Sequence, residues 1–133
     1  MTVHLTTQES EEIFYSSLCN AVGTGYMSGY GIQLRCDRNQ YKDCKEHLER
    51  INPGVEQAWE DILMQILRDG GNLTFEDVEC EGEYTRSISM KDVHERVRLA
   101  PIEAILNFVK EQDDAGDADL VLQTVFYKEV LFG

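Results

Sequence analysis

Residues 52–71 read NPGVEQAWEDILMQILRDGG, and this stretch carries the strongest structural signal in the chain. Asn52 can cap the free backbone donors of a helix, and Pro53 fits the first helical position. Gly70 or Gly71 can adopt the left-handed conformation that ends a helix. The large apolar residues between them recur every three or four positions, which places them on one helical face: Val55, Trp59, Ile62, Leu63, Ile66 and Leu67. The stretch therefore predicts an amphipathic helix around which the rest of the chain is arranged.

Two further helices and a strand are predicted before this stretch. Thr6 and Glu9 have the spacing of a capping box at the start of a helix over 7–22. A second helix over 38–51 has one apolar stripe: Tyr41, Cys44, Leu48 and Ile51. Between the two helices, residues 30–36 alternate as a strand. One side of that strand is apolar: Tyr30, Ile32, Leu34 and Cys36.

The residues after the two glycines predict a β-hairpin. Residues 73–80 alternate with a slip of phase, which indicates a bulge or an early bend. Glu81 and Gly82 form a plausible turn, and 84–90 alternate on the return. We expect this hairpin to pair with the strand at 30–36.

Three helical segments follow the hairpin. Asp92 and Glu95 have capping-box spacing before a short helical turn. Pro101 opens a longer helix with four apolar residues on one face: Ile102, Ile105, Leu106 and Val109. The last segment, 118–130, fits a helical stripe better than an alternating strand. The chain is therefore predicted to be α+β: a single compact domain over 1–133, with about four or five helices packed on a small, mainly antiparallel sheet of three or four strands.

The composition of the chain is strongly acidic. Its 133 residues include 25 Asp and Glu against 12 Lys and Arg, a net charge of -13. This excess repels phosphate backbones and anionic lipids, so we expect no direct binding to nucleic acid or to a membrane. The sequence shows neither a secretory leader nor a long apolar run, and its four cysteines fit reduced thiols. We expect a cytoplasmic protein without a cofactor.

Two segments concentrate the acidic residues and are the predicted partner-binding sites. The first lies in the hairpin and the second precedes the last helix, which Asp117 would cap. Together they comprise ten carboxylates: Glu76, Asp77, Glu79, Glu81, Glu83, Glu111, Asp113, Asp114, Asp117 and Asp119. The glycine-rich loop at 23–31, GTGYMSGYG, adds Tyr26 and Tyr30 as predicted contact residues, because tyrosine buries area at low entropic cost. This loop follows a helix and precedes a strand, which is the wrong order for a phosphate-binding loop.

The sequence predicts no catalytic residues and no metal ligands. Cys36, Cys44 and His47 lack the paired spacing of a structural zinc site, and the aspartates near residue 115 miss the register of an EF-hand loop. Cys19 and His94 could act as nucleophile and base, but a cysteine on an apolar helical face is more often inert core. We therefore expect that the protein is not an enzyme.

Two functions from different classes fit these observations. The first is a non-enzymatic inhibitor, of the anti-defence or toxin-immunity type, whose carboxylates imitate phosphates and occupy a basic groove of a nucleic-acid-handling protein. The second is a small structural or assembly module, in which acidity serves only solubility. That module would form a homo-oligomer through the 23–31 loop or through the C-terminal VFYKEVLFG segment. The first function requires that exposed carboxylates share a face, and the second predicts an oligomer that salt does not dissociate.

Overall fold

An antiparallel sheet lies beneath the helices of the computed structural model, which describes residues 4–22 and 27–132. The three strands of this described part are β1 (Ile32–Arg35), β2 (Leu73–Asp77) and β3 (Arg86–Ile88). Their order is β1-β2-β3, so β2 is central and pairs antiparallel with both neighbours. The predicted hairpin and its pairing with the first strand are confirmed, although each strand is shorter than predicted.

Six α-helices pack on this sheet within the described ranges, one more than the upper expectation: α1 (Thr7–Ser17), α2 (Arg38–Ile51), α3 (Trp59–Arg68), α4 (Met90–Arg96), α5 (Ile102–Val109) and α6 (Ala115–Tyr127). A π-helical turn, Leu18–Val22, continues α1, and 3-10 turns cover Met27–Tyr30 and Val97–Leu99. None of the helices described combines the length and the apolar character needed to cross a membrane. The predicted α+β fold class is confirmed.

Helix α6 lies at the centre of the core. Most of its residues between 118 and 127 are buried, which explains why the helical interpretation of this segment is correct. Phe126 stacks on Phe75 of β2 with ring centroids 3.7 Å apart, and it meets Phe14 of α1 at 6.5 Å. The helix ends at Lys128, whose φ is +65°. The core is therefore organised on α6 rather than on α3.

Helix α3 begins later than predicted because a turn precedes it. Val55 N donates to Asn52 O at 3.3 Å, and Gly54 has a φ of +80°. Proline at the second position and glycine at the third favour a type II turn, which requires positive φ at that glycine. Val55 is consequently 60% exposed, and the helix starts only at Trp59. Its end is as predicted, because Gly70 has a φ of +88°.

Helix α5 exposes most of its apolar face. Ala104 and Ile105 are buried against the rest of the protein, whereas Ile102, Leu106 and Val109 are 41%, 43% and 64% exposed. The helix packs on α6. The helix forms as predicted, but three of the four residues of its apolar face lie at the surface.

Capping interactions fix the ends of two other helices. Thr6 N donates to Glu9 Oε1 at 2.9 Å and Glu9 N donates to Thr6 Oγ1 at 3.1 Å, which confirms the predicted capping box of α1. At α4 the predicted start is wrong, because Ser89 N donates to Asp92 Oδ2 at 2.9 Å and the helix begins directly after Ser89. Ile51, at the end of α2, is exposed instead of buried.

Candidate functional site

The first acidic tract folds into the turn between β2 and β3, and one of its members is internal. Asp77 is buried, and its carboxylate accepts backbone hydrogen bonds from Glu79 at 3.0 Å, Cys80 at 2.8 Å and Tyr84 at 3.2 Å. These donors, that of Cys80 above all, hold the pKa of Asp77 below its usual value. Asp77 therefore closes the turn instead of facing a partner.

The other carboxylates of this tract reach the surface. Glu76 forms an ion pair with Arg35 of β1 at 3.0 Å, so an arginine neutralises part of its charge. Glu79 lies against Gly31, where an added Cβ atom would come within 2.6 Å of the Glu79 carboxyl carbon. Two exposed residues of the turn complete the tract: Glu81 and Glu83.

The second acidic tract connects α5 to α6 and supplies the cap of α6. Asp114, instead of the predicted Asp117, is the N-cap residue. Asp117 N donates to Asp114 Oδ1 at 2.9 Å, and Asp114 N donates to Asp117 Oδ2 at 3.2 Å. Asp113 accepts a hydrogen bond from the Asn20 side chain, and Glu111 is exposed with a φ of +55°. Most of this tract is therefore engaged in holding the loop and the helix start.

Asp119 lies in the second turn of α6 and is only 4% exposed. Its Oδ2 accepts hydrogen bonds from the Tyr30 hydroxyl at 3.1 Å and from Gln123 Nε2 at 2.9 Å. Its Oδ1 has no hydrogen-bond partner among the described residues. Burial raises the pKa of this carboxyl, because desolvation disfavours its charged form. Tyr30 is thus half-buried over α6, while Tyr26 lies outside the described residues.

Gln123 fixes the end of the described chain against α6. Its Oε1 accepts hydrogen bonds from Leu131 N at 2.8 Å and Phe132 N at 2.7 Å, and its Nε2 donates to Phe132 O at 3.0 Å. The Phe132 ring stacks on Tyr30 at 5.0 Å and meets Tyr84 edge-on at 5.3 Å. Because Tyr30 bonds to the second tract and Tyr84 N to the first, both tracts adjoin this aromatic cluster. Sequence reasoning missed Gln123, whose only signal is a polar residue within an apolar helical segment.

Helix α1 contributes carboxylates that sequence reasoning did not assign to the site. Glu9 and Glu12 of α1 and Glu111 and Asp113 of the second tract line a groove of about 350 Å³ between α1 and α5. We call these four residues the acidic groove. Within the described residues no lysine or arginine lines it. A hydrogen bond from the Thr6 backbone holds the pKa of Glu9 below its usual value, so Glu9 is charged at neutral pH.

A larger groove, of about 720 Å³, extends from the acidic groove along α1 to α3. The two grooves share Glu12, and the larger one adds Glu11 and Asp61. Arg68, which also lines it, forms an ion pair with Glu11 at 3.6 Å, and His94 Nε2 lies 3.1 Å from the same carboxylate. Negative charge therefore continues along α1 as far as the cluster of Glu11, Arg68 and His94, which balances it.

The cysteines and histidines supply little reactive chemistry in this fold. His94 contacts Glu11 and is not hydrogen-bonded to Cys19 in the described part of the chain. Burial raises the pKa of the Cys19 thiol, which disfavours the nucleophilic thiolate. All four cysteines are free, and only Cys80 is exposed. No three His, Cys, Asp or Glu side chains among the described residues are grouped so as to hold a metal ion.

Comparison with known proteins returns no match for this chain, whether with protein-family models, curated proteins or solved structures. An α+β fold hosts many unrelated functions, so the architecture alone assigns none. The charges, contacts and cavities described above are therefore the basis for a functional assignment.

Proposed function

We propose that this chain is a non-enzymatic acidic binding protein that occupies a basic groove of a nucleic-acid-handling protein. The acidic groove is the observation that carries the proposal. Glu9 and Glu12 lie beside Glu111 and Asp113 there, although these pairs are far apart in the sequence, and no base lines the groove within the described residues. Arginine and lysine bind clustered carboxylates by the same charge-assisted hydrogen bonds that they make to phosphates.

The charge of the whole chain supports this function. A net charge of -13 creates a long-range field that guides encounters with a basic surface and raises the association rate. Salt screens such a field within a Debye length of about 10 Å at 0.1 M ionic strength. Binding is therefore expected to weaken steeply with ionic strength, as DNA binding by the same partner does.

Not every carboxylate that the sequence predicts for the partner surface suits that role. Asp77 and Asp119 are buried, and Asp114 and Asp117 cap α6. Moving any of these four to reach a partner would break hydrogen bonds that hold the fold. We assign contact with the surface of the partner to the exposed carboxylates of the two tracts and to the α1 residues beside them: Glu79, Glu81, Glu83, Glu111, Glu9 and Glu12.

Two variants of equal charge test this function. The first replaces Glu12 and Glu111 with glutamine in the acidic groove, and the second replaces Glu46 and Glu49, exposed on α2, in the same way. Each protein is titrated at low salt into a panel of purified nucleases and DNA-binding proteins bound to a fluorescent DNA duplex. Wild type should displace the DNA from at least one member of the panel. We expect the groove variant to need about ten times more protein for the same displacement, with little change for the α2 variant.

Two results would contradict the proposed function. In the first, wild type displaces DNA from no member of the panel even at low salt. In the second, both variants weaken displacement equally, which would show that net charge acts without a defined site. Raising the salt to about 0.5 M should abolish displacement by wild type, since the attraction is electrostatic.

Self-association is a second candidate function, and the exposed face of α5 favours it. The preceding 3-10 turn extends this face with a further exposed residue, which gives four apolar side chains: Leu99, Ile102, Leu106 and Val109. Their spacing of three, four and three positions reads identically in both directions. An antiparallel second copy would therefore place the four side chains against the same four, as a twofold interface requires. The predicted C-terminal contact is less suited to this role, because Phe132 packs internally.

Analytical ultracentrifugation of Leu106→Gln, with Val55→Gln at another exposed apolar position as the control, tests this second function. Wild type and Val55→Gln should dimerise with rising concentration at high salt, whereas Leu106→Gln should remain monomeric. A monomeric wild type at about 100 μM would exclude a dimer tighter than roughly that dissociation constant.

A further inference from the structure

A cavity of about 380 Å³ opens beside the first turns of α6, apart from the acidic groove. Its lining combines carboxylate, aromatic and aliphatic side chains, among them Asp114, Asp117, Asp119, Tyr30, Phe132 and Val130. Ligand sites commonly consist of apolar walls with a few polar groups that fix orientation. This mixture suits a ligand that has both an aliphatic part and a cationic end.

The carboxylate of Asp119 is incompletely hydrogen-bonded within this lining. Tyr30 and Gln123 both donate to its Oδ2, so the acceptor capacity of that oxygen is filled. Its Oδ1 is buried and has no donor among the described residues. An unpaired buried acceptor is unfavourable, because it has lost its water without gaining a partner. Because Oδ1 has almost no accessible surface, a ligand N–H donor would reach it once the side chains around it shift, and would then remove this penalty.

We propose that the cavity receives a lysine or arginine side chain of the partner protein, with its cationic head on Asp119. The inference rests on the proposed function, to which it adds a defined anchor. The aliphatic stem would pack on Val130 and the neighbouring apolar lining, and Tyr30 and Phe132 would add cation–π attraction. A charge pair on a buried carboxylate discriminates between partners more strongly than pairs on exposed carboxylates do.

The carboxylates beside Asp119 attract a cation to the cavity and leave its charged head to Asp119. Asp114 and Asp117 each use one oxygen in the capping box of α6, which fixes their positions at the rim. Their negative charge raises the local affinity for any cation. Among the described residues, no third ligand joins these two carboxylates to form a metal site. An elongated organic cation therefore fits better.

Binding in the cavity should depend on pH. A bound cation favours the ionised form of Asp119, whose pKa burial raises. The titratable groups that face it are Tyr30, Asp114 and Asp117. Affinity should therefore fall on acidification at a higher pH than it does for exposed carboxylates.

An NMR titration with capped amino acids tests the site directly. N-acetyl-arginine amide and N-acetyl-lysine amide are the probes, and N-acetyl-citrulline amide, which has the shape of arginine without its charge, is the control ligand. We expect saturable amide shifts centred on residues 115–124 and 130–132. At least one cationic probe should bind about ten times more tightly than citrulline. Equal binding of citrulline, or shifts spread over all acidic surfaces, would overturn the proposal.

Two variants separate the cavity from general electrostatics. Asp119→Asn removes the charge while keeping an oxygen for Tyr30 and Gln123, and Val130→Phe, at a partly exposed position, fills the cavity without touching Asp119. Both should weaken binding of the cationic probe about tenfold, whereas Glu46→Gln on α2, of the same charge change as Asp119→Asn, should not. Unchanged binding in both cavity variants would refute the site.

The outcomes distinguish this inference from the function on which it rests. If the probes fail to bind the cavity but the Glu12 and Glu111 variant still loses displacement of DNA, the anchor is wrong and the proposed function stands. If the probes bind and wild type displaces DNA from no protein, the cavity is a site for a basic side chain and the proposed function is wrong. Calcium or magnesium ions that produce the same shifts as the cationic probes would overturn the assignment to a side chain.

Discussion

Gln123 is the most informative single side chain to remove. Its side chain is fully buried and forms four hydrogen bonds, with Asp119, with Leu131 N and with both N and O of Phe132. A hydrogen bond contributes about 1 kcal/mol net, and water can replace part of this loss once the chain end detaches. We expect Gln123→Ala to lower the free energy of unfolding by about 3 kcal/mol, which corresponds to a fall in Tm of roughly 10 °C for a domain of this size.

Urea unfolding followed by far-UV circular dichroism measures this change. Gln8→Ala is the matched control, because Gln8 is exposed on α1 and makes one hydrogen bond, to Glu12 at 3.2 Å. This variant should lower the free energy of unfolding by less than about 0.5 kcal/mol. If Gln123 acts by holding Phe132, then Phe132→Ala and Gln123→Ala should be non-additive by more than about 1 kcal/mol. A loss no larger than that of the control, or strict additivity, would refute this reasoning.

Three further predictions concern other side chains. The pKa of Asp77 is lowered in the fold, so its carboxylate stabilises the protein above its ordinary pKa of 3.8, and this stabilisation is lost as pH falls through the folded pKa. Urea unfolding between about pH 6 and pH 2 should therefore show a smaller acid-induced loss for Asp77→Asn than for wild type. The pKa of Asp119 is raised, so its contribution to stability decreases as pH rises through the folded pKa. In the same experiment Asp119→Asn should be at least as stable as wild type at neutral pH, with the difference vanishing in acid. Gly31→Ala should lower the free energy of unfolding by about 1–2 kcal/mol in thermal melts, because Gly31 has positive φ and faces Glu79. Adding Glu79→Ala to this variant should restore part of the lost stability.

Local sequence signals predicted the elements whose causes lie within a few residues. The capping box of Thr6 and Glu9 marks the start of α1, and alternation with a turn marks the hairpin. The late start of α3 was also local, since proline followed by Gly54 is a turn signal. It was missed because the apolar period could be extended back to Val55, which proved to be exposed.

The remaining errors concern contacts between distant parts of the chain. How much of the apolar face of α5 is buried depends on how α5 packs on α6, and the period of apolar residues alone does not decide this. Likewise, the convergence of Glu12 with Glu111 follows from the packing of both α1 and α5 on α6. The sequence alone does not distinguish Asp77 and Asp119 from the acidic residues near them. Burial of Asp77 and Asp119, and the capping hydrogen bonds of Asp114 and Asp117, distinguish the carboxylates that hold the fold from the others.

The central position of α6 affects how this protein acquires its structure during translation. Phe14 emerges from the ribosome early, whereas Phe126, which it contacts in the core, emerges only after α6 has been made. Until then the apolar surfaces of α1 and of the sheet that α6 covers face solvent, and a nascent chain in that state is prone to aggregate. We expect that ribosome-bound chains ending before Ala115 are open to proteolysis and to chaperones, and that protection appears abruptly once residue 127 has left the exit tunnel.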